Sequence, residues 1–459
     1  MQNNNSSVKN TALFIAALSS FLAPFMTSSI NVSLPDIEKD FLVDAVLLSW
    51  VASSYILAAA IFLVPFGKIA DIYGRKKIFL IGISTYSIST ILIGLSDSIY
   101  TLLAFRVIQG IGSSMVFSTN IAIITSVFPL GERGKALGIN VSAVYVGLSL
   151  GPVLGGVLTQ HFGWRSLFLF QIPFCILIIL LTLTKLKDEW AESKGKKFDT
   201  LGTTIYVFSL ACLMYGLTIV TNIKSISLII LAVGLFIALV QIEKRAKYPI
   251  IDFNLFKTNI TFTFSNAAAF INYSSTFAVS FVLSLYLHYI KGLHSQYVGM
   301  ILLFQPLMMA LFSPFAGRLS DKIEPRIIAS IGMGLMSLSL FIFSTINFQS
   351  NILFIAFTLA LLGLGFALFS SPNANAIMSS VEKKDYGLAS ALLGTMRLTG
   401  QMFSMAIVMV VFTLIIGKVR ITPEHYNDFV SSIKMLFLIF GVLNFIGIFA
   451  SIARGDIKA

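Results

Sequence analysis

Charged side chains are scarce in this chain. Aspartate, glutamate, lysine and arginine make up 11% of its 459 residues, whereas hydrophobic residues make up 56%. A soluble domain contains roughly 25% charged residues, because it must present a polar shell to water. So low a charged fraction excludes a water-soluble globular protein and predicts a membrane protein whose helices are solvated by lipid.

Cysteine and the common catalytic motifs are also lacking. The two cysteines, Cys175 and Cys212, lie inside apolar runs, which argues against a disulfide framework or a CxxC metal or redox site. There is no HExxH zinc motif, no phosphate-binding GxxxxGK[ST] loop and no GxGxxG after a strand. We therefore expect no enzyme activity, no metal and no cofactor.

Acidic residues are absent from the middle of every apolar run, but two arginines are present there. These are Arg106 and Arg397, and no acid lies three or four positions from Arg106. A charge that faces lipid costs at least about 2.5–3.5 kcal/mol on insertion scales. Both arginines are therefore predicted to face protein or water.

Apolar runs of about 20 residues, each long enough to span a bilayer, recur about fourteen times along the chain. Most of the 32 lysine and arginine residues fall in the even-numbered connections and at the two ends. This bias predicts a multi-pass cell-membrane protein with both termini cytoplasmic. It also accounts for much of the net charge of +12 without nucleic acid as a partner. We predict six helices in residues 1–184, a linker with two further helices in 185–257, and six helices in 258–459.

A short polar turn follows the second predicted helix. It reads GKIADIYGRKK, with Gly67, Asp71, Gly74 and Arg75 at its key positions. The glycines permit close backbone approach and a tight reversal, and Asp71 suits the N-terminal end of a neighbouring helix. A degenerate copy, GRLSDKIEPR with Asp321, follows the tenth predicted helix. Such a repeat predicts two related halves, as in secondary transporters.

The fifth predicted helix has an unusual small-residue pattern. The string GLSLGPVLGG places Gly147, Gly151 and Gly155 four residues apart and adds Pro152 and Gly156. Glycines at this spacing share one face and let another helix approach closely. The proline removes one backbone hydrogen bond and predicts a bend.

Together these strings resemble the motifs of the major facilitator superfamily. The turn resembles its conformational latch, and the GLSLGPVLGG string resembles the antiporter motif of its exporters. The fourth-helix string LLAFRVIQGIG, with Arg106 and Gln109, resembles the motif whose arginine is implicated in proton transfer. The helix count and the strings SWVASSYILA and YGLASALLGTMRLTGQ are similar to the fourteen-helix drug:proton antiporter branch. The resemblance implies an all-α fold of two six-helix halves plus two extra helices, which rock around a central site.

One departure from that branch bears on the substrate. Its first helix usually has an acid before an N-V-x-L-P segment, and Met26 stands at that position here. We therefore expect neutral, zwitterionic or anionic substrates rather than strict recognition of dications. Asp36 is our candidate for proton coupling, together with Arg106, Arg397 and Gln109. We expect His288 to be structural, as interfacial histidines usually are. Other polar residues predicted to line the cavity are Asn31, Tyr55, Tyr145, Asn272, Gln305 and Asn373.

The resemblance implies a secondary exporter that exchanges protons for amphipathic small molecules. Its expected partners are the lipid bilayer, a small-molecule substrate and protons, and the chain is expected to be a monomer. An alternative is a proton-coupled or facilitated transporter of an organic anion or other metabolite. A non-transporting membrane sensor or scaffold is the alternative from another class.

Overall fold

The computed structural model describes residues 2–128, 130–186, 188–191, 195, 198–218, 223–244, 253–381, 386–417 and 421–455. Within these ranges the chain consists of α-helices joined by short connections, with no β-strand. The helices are long because their windows are almost wholly apolar, and a membrane core requires every backbone polar group to be paired within the segment.

The first seven helices pack together as one group, which we call the N-terminal bundle. Their bounds are α1 Gln2–Phe41, α2 Ala45–Tyr73, α3 Arg75–Gly94, α4 Ile99–Val127, α5 Leu130–Phe162, α6 Arg165–Leu169 and α7 Ile172–Lys185. Polar side chains cap the starts of two of these helices. Asp44 accepts a hydrogen bond from the backbone of Leu47 at the start of α2, and Ser98 forms a capping box with Thr101 at the start of α4. Such caps satisfy amide groups that have no partner inside the helix.

Three helices follow before the second bundle, namely α8 Thr200–Thr218, α9 Ile223–Glu243 and the short α10 Phe253–Thr258. Helices α8 and α9 pack against each other, and α8 also contacts α2 of the N-terminal bundle.

The remaining helices form a second group, which we call the C-terminal bundle. Their bounds are α11 Ile260–Thr276, α12 Val279–Tyr289, α13 Ser295–Leu302, α14 Phe304–Lys322, α15 Pro325–Phe343, α16 Ile352–Ser379, α17 Tyr386–Ile415 and α18 Tyr426–Ile452. A 3-10 turn at Pro423–His425 leads into α18.

Thirteen helical stretches of the described chain are long and apolar enough to cross a membrane, and α8 includes a shorter apolar stretch at Thr200–Leu213. The expectation of an all-α fold with about fourteen membrane helices is therefore confirmed. Three predicted spans are each built from two consecutive helices, which are α6 with α7, α11 with α12, and α13 with α14. Hydropathy alone does not locate such breaks, because it averages over the whole window.

The membrane helices begin and end at two opposite faces of the helical assembly. We call the face on which α1 begins the terminal face and the face on which α1 ends the distal face. The two bundles contact each other through α1 and α12, through α5 and α13, and along α2 and α17. The α5–α13 contact lies toward the distal face, because α5 ends and α13 begins there.

Candidate functional site

The small-residue face of α5 lies against α1. A methyl group added to Gly147 would lie 2.5 Å from the carbonyl oxygen of Phe21, and one added to Gly155 would lie 2.8 Å from Cβ of Ser29. The Ser29 hydroxyl donates to the carbonyl of Gly151 at 2.9 Å. Only glycine allows so close an approach, and the approach in turn permits hydrogen bonds between the helices.

The same string also joins the two bundles. A methyl group on Gly156 would lie 2.6 Å from the carbonyl oxygen of Ser295 in α13, and one on Gly299 would collide with the carbonyl oxygen of Pro152. Proline at a helix position frees a carbonyl one turn earlier and bends the axis. The structure therefore places the GLSLGPVLGG string at a close contact of the N-terminal bundle with α13.

Arg106 is buried inside the N-terminal bundle, with 1% of its surface exposed. Its Nε donates to the carbonyl of Val51 at 3.0 Å, and its Nη1 donates to Oε1 of Gln109 at 2.7 Å. Gln109 in turn donates from Nε2 to the hydroxyl of Thr90 at 2.8 Å. The guanidinium is therefore held by neutral acceptors that face away from lipid.

An aromatic ring completes the surroundings of this arginine. Its Cζ lies 4.6 Å from the ring centroid of Tyr55, within cation–π range. The Tyr55 hydroxyl lies 2.6 Å from the hydroxyl of Ser113. Across the described residues no carboxylate contacts Arg106, so a ring quadrupole and oriented dipoles stabilise its charge.

Met26 lies in the same bundle and is fully buried. Nε2 of Gln171 lies 2.7 Å from its sulfur, and Oε1 of Gln171 accepts a hydrogen bond from Tyr86 at 2.6 Å. A neutral amide thus contacts the position that the resemblance associates with an acid. The sequence does not single out Gln171 as a site residue, because nothing local to it indicates that its partner is Met26 on another helix.

The second arginine lies on α17, a helix of the C-terminal bundle that also contacts α2 of the N-terminal bundle. Arg397 of α17 has Cζ 5.7 Å from the ring centroid of Tyr273 in α11. Its Nε is buried and has no hydrogen-bond partner among the described residues. Nearby, the Tyr145 hydroxyl of α5 lies 3.3 Å from the Ser370 hydroxyl of α16, which links the two bundles. A buried donor without an acceptor is a candidate contact for a ligand.

The other polar candidates are distributed through the molecule. Asn272 contacts Met336 and Asn444 inside the C-terminal bundle, so the structure does not bring it to the contact between bundles. Gln305 is buried there too, and its Oε1 lies 3.5 Å from the Ser280 hydroxyl. The main-chain carbonyl of Asn31 does contact the C-terminal bundle, because it accepts from the Ser284 hydroxyl at 2.5 Å.

Around the turn between α2 and α3, Gly74 has φ of 117°, a conformation that favours glycine. Arg75 forms an ion pair with Asp71 at 2.9 Å and also donates to the Ser126 hydroxyl in α4 at 2.8 Å.

Two other residues of the latch prediction have different outcomes. For Gly67 the expected close approach is wrong, because an added methyl would make only an ordinary contact of 3.7 Å with Ser118. Asp321 has its side chain outside the described part of the structure.

The segment after α7 folds back onto this turn. The Glu189 carboxylate accepts from the backbone amides of Lys76 at 2.9 Å and Lys77 at 3.1 Å, and the Trp190 carbonyl accepts from the Arg75 amide at 2.9 Å. A carboxylate at a helix N-terminus satisfies unpaired amides and opposes the positive end of the helix dipole. From the sequence, these residues are assigned only to a polar linker. A carboxylate that caps a helix far away in the chain leaves no pattern in the sequence around it.

A further buried arginine follows α18 at the terminal face. Arg454 is fully buried, donates to Oδ1 of Asn373 at 3.0 Å and Ser265 Oγ at 3.4 Å, and contacts Ser451. Burial lowers the pKa of Arg454 to about 10, so it stays protonated at neutral pH. Asn373 therefore binds an arginine of its own bundle. From the sequence alone, Arg454 is only one of the basic residues near the two ends of the chain.

Asp36 lies at the distal face, where its Oδ2 accepts from the Ser295 hydroxyl at 3.0 Å. This bond joins α1 to α13 and therefore crosses between the bundles. Of the four residues predicted for proton coupling, the structure brings together only Arg106 and Gln109. Asp36 and Arg397 occupy separate places.

The chain resembles known membrane transporters over most of its length. The family model of the Major Facilitator Superfamily matches residues 16–242 and 266–456. The chain is 31% identical over 385 residues to the riboflavin transporter RibZ of Clostridioides difficile, with 84% of each chain covered. It is 30% identical over 389 residues to the multidrug resistance protein Stp of Mycobacterium tuberculosis, covering 82% of this chain and 71% of that protein.

Solved structures agree on the fold. A bacterial homologue of the human lysosomal transporter Spinster superimposes with a TM-score of 0.71 at 16% identity, covering 99% of this chain and 98% of that one. A D-xylose-proton symporter gives 0.68 at 14% identity, with 96% of each covered. The family match spans most of the chain, and the helices and motifs described above fit it. The protein therefore belongs to the major facilitator superfamily as a multi-pass membrane transporter and not an enzyme.

Proposed function

We propose that this transporter exports amphipathic small molecules across the cell membrane in exchange for protons, with both termini cytoplasmic. The observation on which the proposal mainly rests is the place of the α5 string. Its glycines bring α5 against α1 on one side and against α13 on the other. A string that resembles the antiporter motif of exporters thus lies where the two bundles must separate during alternating access.

The arginines support a substrate without a strong positive charge. Arg106 is satisfied within its bundle, but the buried Nε of Arg397 has no protein acceptor among the described residues. Because a buried donor is costly to leave unpaired, a substrate that supplies a carbonyl or carboxylate oxygen is favoured there. The adjacent Tyr273 ring and the Tyr145 hydroxyl suit an aromatic compound with polar edges.

Relatives give mixed support on the substrate. Besides Stp, the cephamycin export protein CmcT of Amycolatopsis lactamdurans is 28% identical over 451 residues, covering 96% of this chain and 93% of that protein. These names favour export of drug-like compounds. RibZ favours a second candidate function, transport of a flavin-like metabolite, which a site with an aromatic wall and a free donor also fits. No cofactor is part of either proposal, since the proton gradient supplies the energy.

Liposomes that contain the purified protein test the proposal. They are loaded with riboflavin, an aromatic carboxylate or tetraphenylphosphonium, and efflux is followed after an acid-outside pH gradient is imposed. We expect the gradient to accelerate efflux of riboflavin, of the aromatic carboxylate or of both, but not of tetraphenylphosphonium. The external pH should rise as protons enter in exchange for the exported compound. Efflux whose rate does not depend on the pH gradient would favour facilitated transport, and binding of a compound without any efflux would favour a sensor.

Replacing Arg397 tests the substrate assignment. Arg397→Gln removes the charge but keeps a polar side chain, and we expect at least a roughly tenfold rise in KM for the acceptor-bearing substrate, the factor that about 1.4 kcal/mol represents. The matched control is Arg318→Gln, since Arg318 is exposed at the end of α14. An unchanged KM in Arg397→Gln would contradict the assignment.

A further inference from the structure

A continuous series of hydrogen bonds joins the two bundles at the distal face. The Ser284 hydroxyl of α12 donates to the main-chain carbonyl of Asn31 in α1 at 2.5 Å. Nδ1 of His288 lies 2.9 Å from the Ser284 carbonyl, and its Nε2 lies 3.2 Å from the Ser295 hydroxyl. Ser295 reaches Oδ2 of Asp36 at 3.0 Å. The series therefore ends on α1 at both sides and passes through α12 and α13 in between.

Counting hydrogens along this series fixes its protonation. A carbonyl oxygen only accepts, so Nδ1 of His288 must bear a hydrogen. The Ser295 hydroxyl has one hydrogen to donate, and Asp36 and Nε2 of His288 both compete for it. Both bonds of Ser295 exist together only if one further proton is present, either on Nε2 of His288 or on the Asp36 carboxyl group.

The two arrangements interconvert without any other reactant. With the proton on Nε2, His288 is a cation, Asp36 is ionised, and the donors run from His288 to Ser295 to Asp36. If Nε2 passes its proton to the serine oxygen, that oxygen releases its own hydrogen to Oδ2. Each transfer breaks one bond to hydrogen and forms another, so a neutral His288 and a protonated Asp36 result, with the donors running the other way.

We propose that Asp36, Ser295 and His288 together hold one exchangeable proton, and that this proton stabilises contact between the bundles at the distal face. When it leaves, Ser295 can satisfy only one neighbour, and either the Asp36 or the His288 bond is lost. The proposal rests on the proposed proton exchange and deepens it, because it assigns the coupling proton to a site. His288, which the sequence indicated to be structural, becomes a partner of Asp36.

Other charged groups near the three residues modulate this site without joining it. The groups that act electrostatically on His288, besides Asp36, are Lys39 of α1 and His294 of the α12–α13 connection. His294 is exposed, and Lys291 donates to the Phe348 carbonyl at 2.6 Å. Glu38 is buried on α1 two positions from Asp36, which is about 200° around the helix. His288 is therefore the histidine placed to share a proton with Asp36.

The sign of the pH effect follows from the proton count. The closed distal face holds one proton more than the face in which the bond between Ser295 and Asp36 is broken. Raising the pH therefore favours opening, by up to about tenfold in the open-to-closed ratio per pH unit for one proton. In an exporter with this face outside, a proton taken up outside would close that face, and its later release would allow reopening with substrate.

Spin-label distance measurements without any substrate test the proposal. Labels are attached to cysteines at Phe162 of α5 and Tyr297 of α13, which are 74% and 57% exposed, after Cys175 and Cys212 are replaced by alanine. In lipid nanodiscs between pH 5 and 9, we expect the long-distance population to rise with pH in the parent. Asp36→Asn and His288→Gln should each reduce this rise to less than about twofold over the whole range.

His294→Gln is the matched control, because it removes a neighbouring histidine outside the series. It should keep the parent's pH response. A parental response in either Asp36→Asn or His288→Gln, or its loss in His294→Gln, overturns the assignment. Either of the first two variants suffices if the other does not fold, since each removes one of the two proton positions. The spin-label measurement uses no substrate and does not depend on the liposome test. Failure of the proton-site proposal can therefore be distinguished from failure of the exporter proposal.

Discussion

The Arg106 guanidinium lies over the Tyr55 ring in a buried part of the N-terminal bundle. They are 4.6 Å apart, and 1% and 3% of their surfaces are exposed. Tyr55 belongs to α2 and Arg106 to α4, so this contact also joins two helices. It explains how a permanent charge is stabilised in a helix that contains no acid.

The Arg106 contact set predicts a strong difference between two conservative changes. Arg106→Lys should lower proton-coupled transport at least roughly tenfold. A lysine ammonium group cannot replace a planar guanidinium that contacts the Tyr55 ring and donates hydrogen bonds to both Val51 and Gln109. Tyr55→Phe keeps the stacked ring and loses only the contact with Ser113, so transport should stay within about threefold of the parent. Initial rates in liposomes at equal protein density measure both. Equal rates for Arg106→Lys and the parent would show that charge alone suffices.

The glycines of α2 and α5 predict opposite outcomes for the same substitution. Gly156→Ala places a methyl 2.6 Å from the Ser295 carbonyl, whereas Gly67→Ala meets only Ser118 at 3.7 Å. We expect Gly156→Ala to push the bundles apart at the distal face and reduce transport severalfold, and Gly67→Ala to be nearly silent. Thiol labelling of a cysteine at Tyr297, together with transport rates, tests this. Unchanged labelling in Gly156→Ala would argue against a tight contact.

Glu189 predicts a local effect on the latch turn. Glu189→Ala removes a carboxylate that caps α3 at the amides of Lys76 and Lys77. Loss of a cap of this kind costs about 0.5–1 kcal/mol, so these amides should exchange hydrogen roughly two- to fivefold faster. Hydrogen–deuterium exchange on peptides that cover 74–80 measures it. Asp188→Ala is the control, as Asp188 is exposed and adjacent, and equal exchange in the two variants would contradict the capping role.

Arg454 predicts an unusual double-variant result. Asn373→Leu removes the oxygen that accepts from Arg454 at 3.0 Å and should destabilise the protein by about 1–3 kcal/mol, since the charge loses a buried partner. Adding Arg454→Met removes the charge as well and should restore much of that loss. Thermal unfolding in detergent micelles reports the changes. If the double variant is less stable than Asn373→Leu alone, the buried arginine itself stabilises the bundle.

Much of the fold follows from local sequence properties. Hydropathy located the helices, because a segment in lipid must satisfy its own backbone, and this requirement acts over about 20 consecutive residues. Breaks inside three of the predicted spans were missed, since packing against neighbouring helices decides where a continuous apolar run is interrupted. The glycine spacing of α5 indicated a close helix contact. It did not say that α1 and α13 would both be the partners.

The candidate site was less accessible to sequence reasoning. Arg106 and Gln109 lie three residues apart on one helix, so their contact could be expected from helix geometry. The contact of Met26 with Gln171 and that of Asp36 with Ser295 join residues 145 and 259 positions apart. Nothing in a single sequence links such residues, because their proximity results from the packing of whole helices.

The sequence by itself determined that this chain is an all-α membrane protein with buried arginines, because charge scarcity and apolar run length are local quantities. Only the tertiary structure decided which groups stabilise those arginines. Arg106 contacts a ring and neutral acceptors, Arg454 is paired with an amide, and the buried Nε of Arg397 has no hydrogen-bond partner among the described residues. The reason is physical, since the cost of burying a charge depends on atoms within a few ångströms, and helix packing brings those atoms from distant parts of the chain.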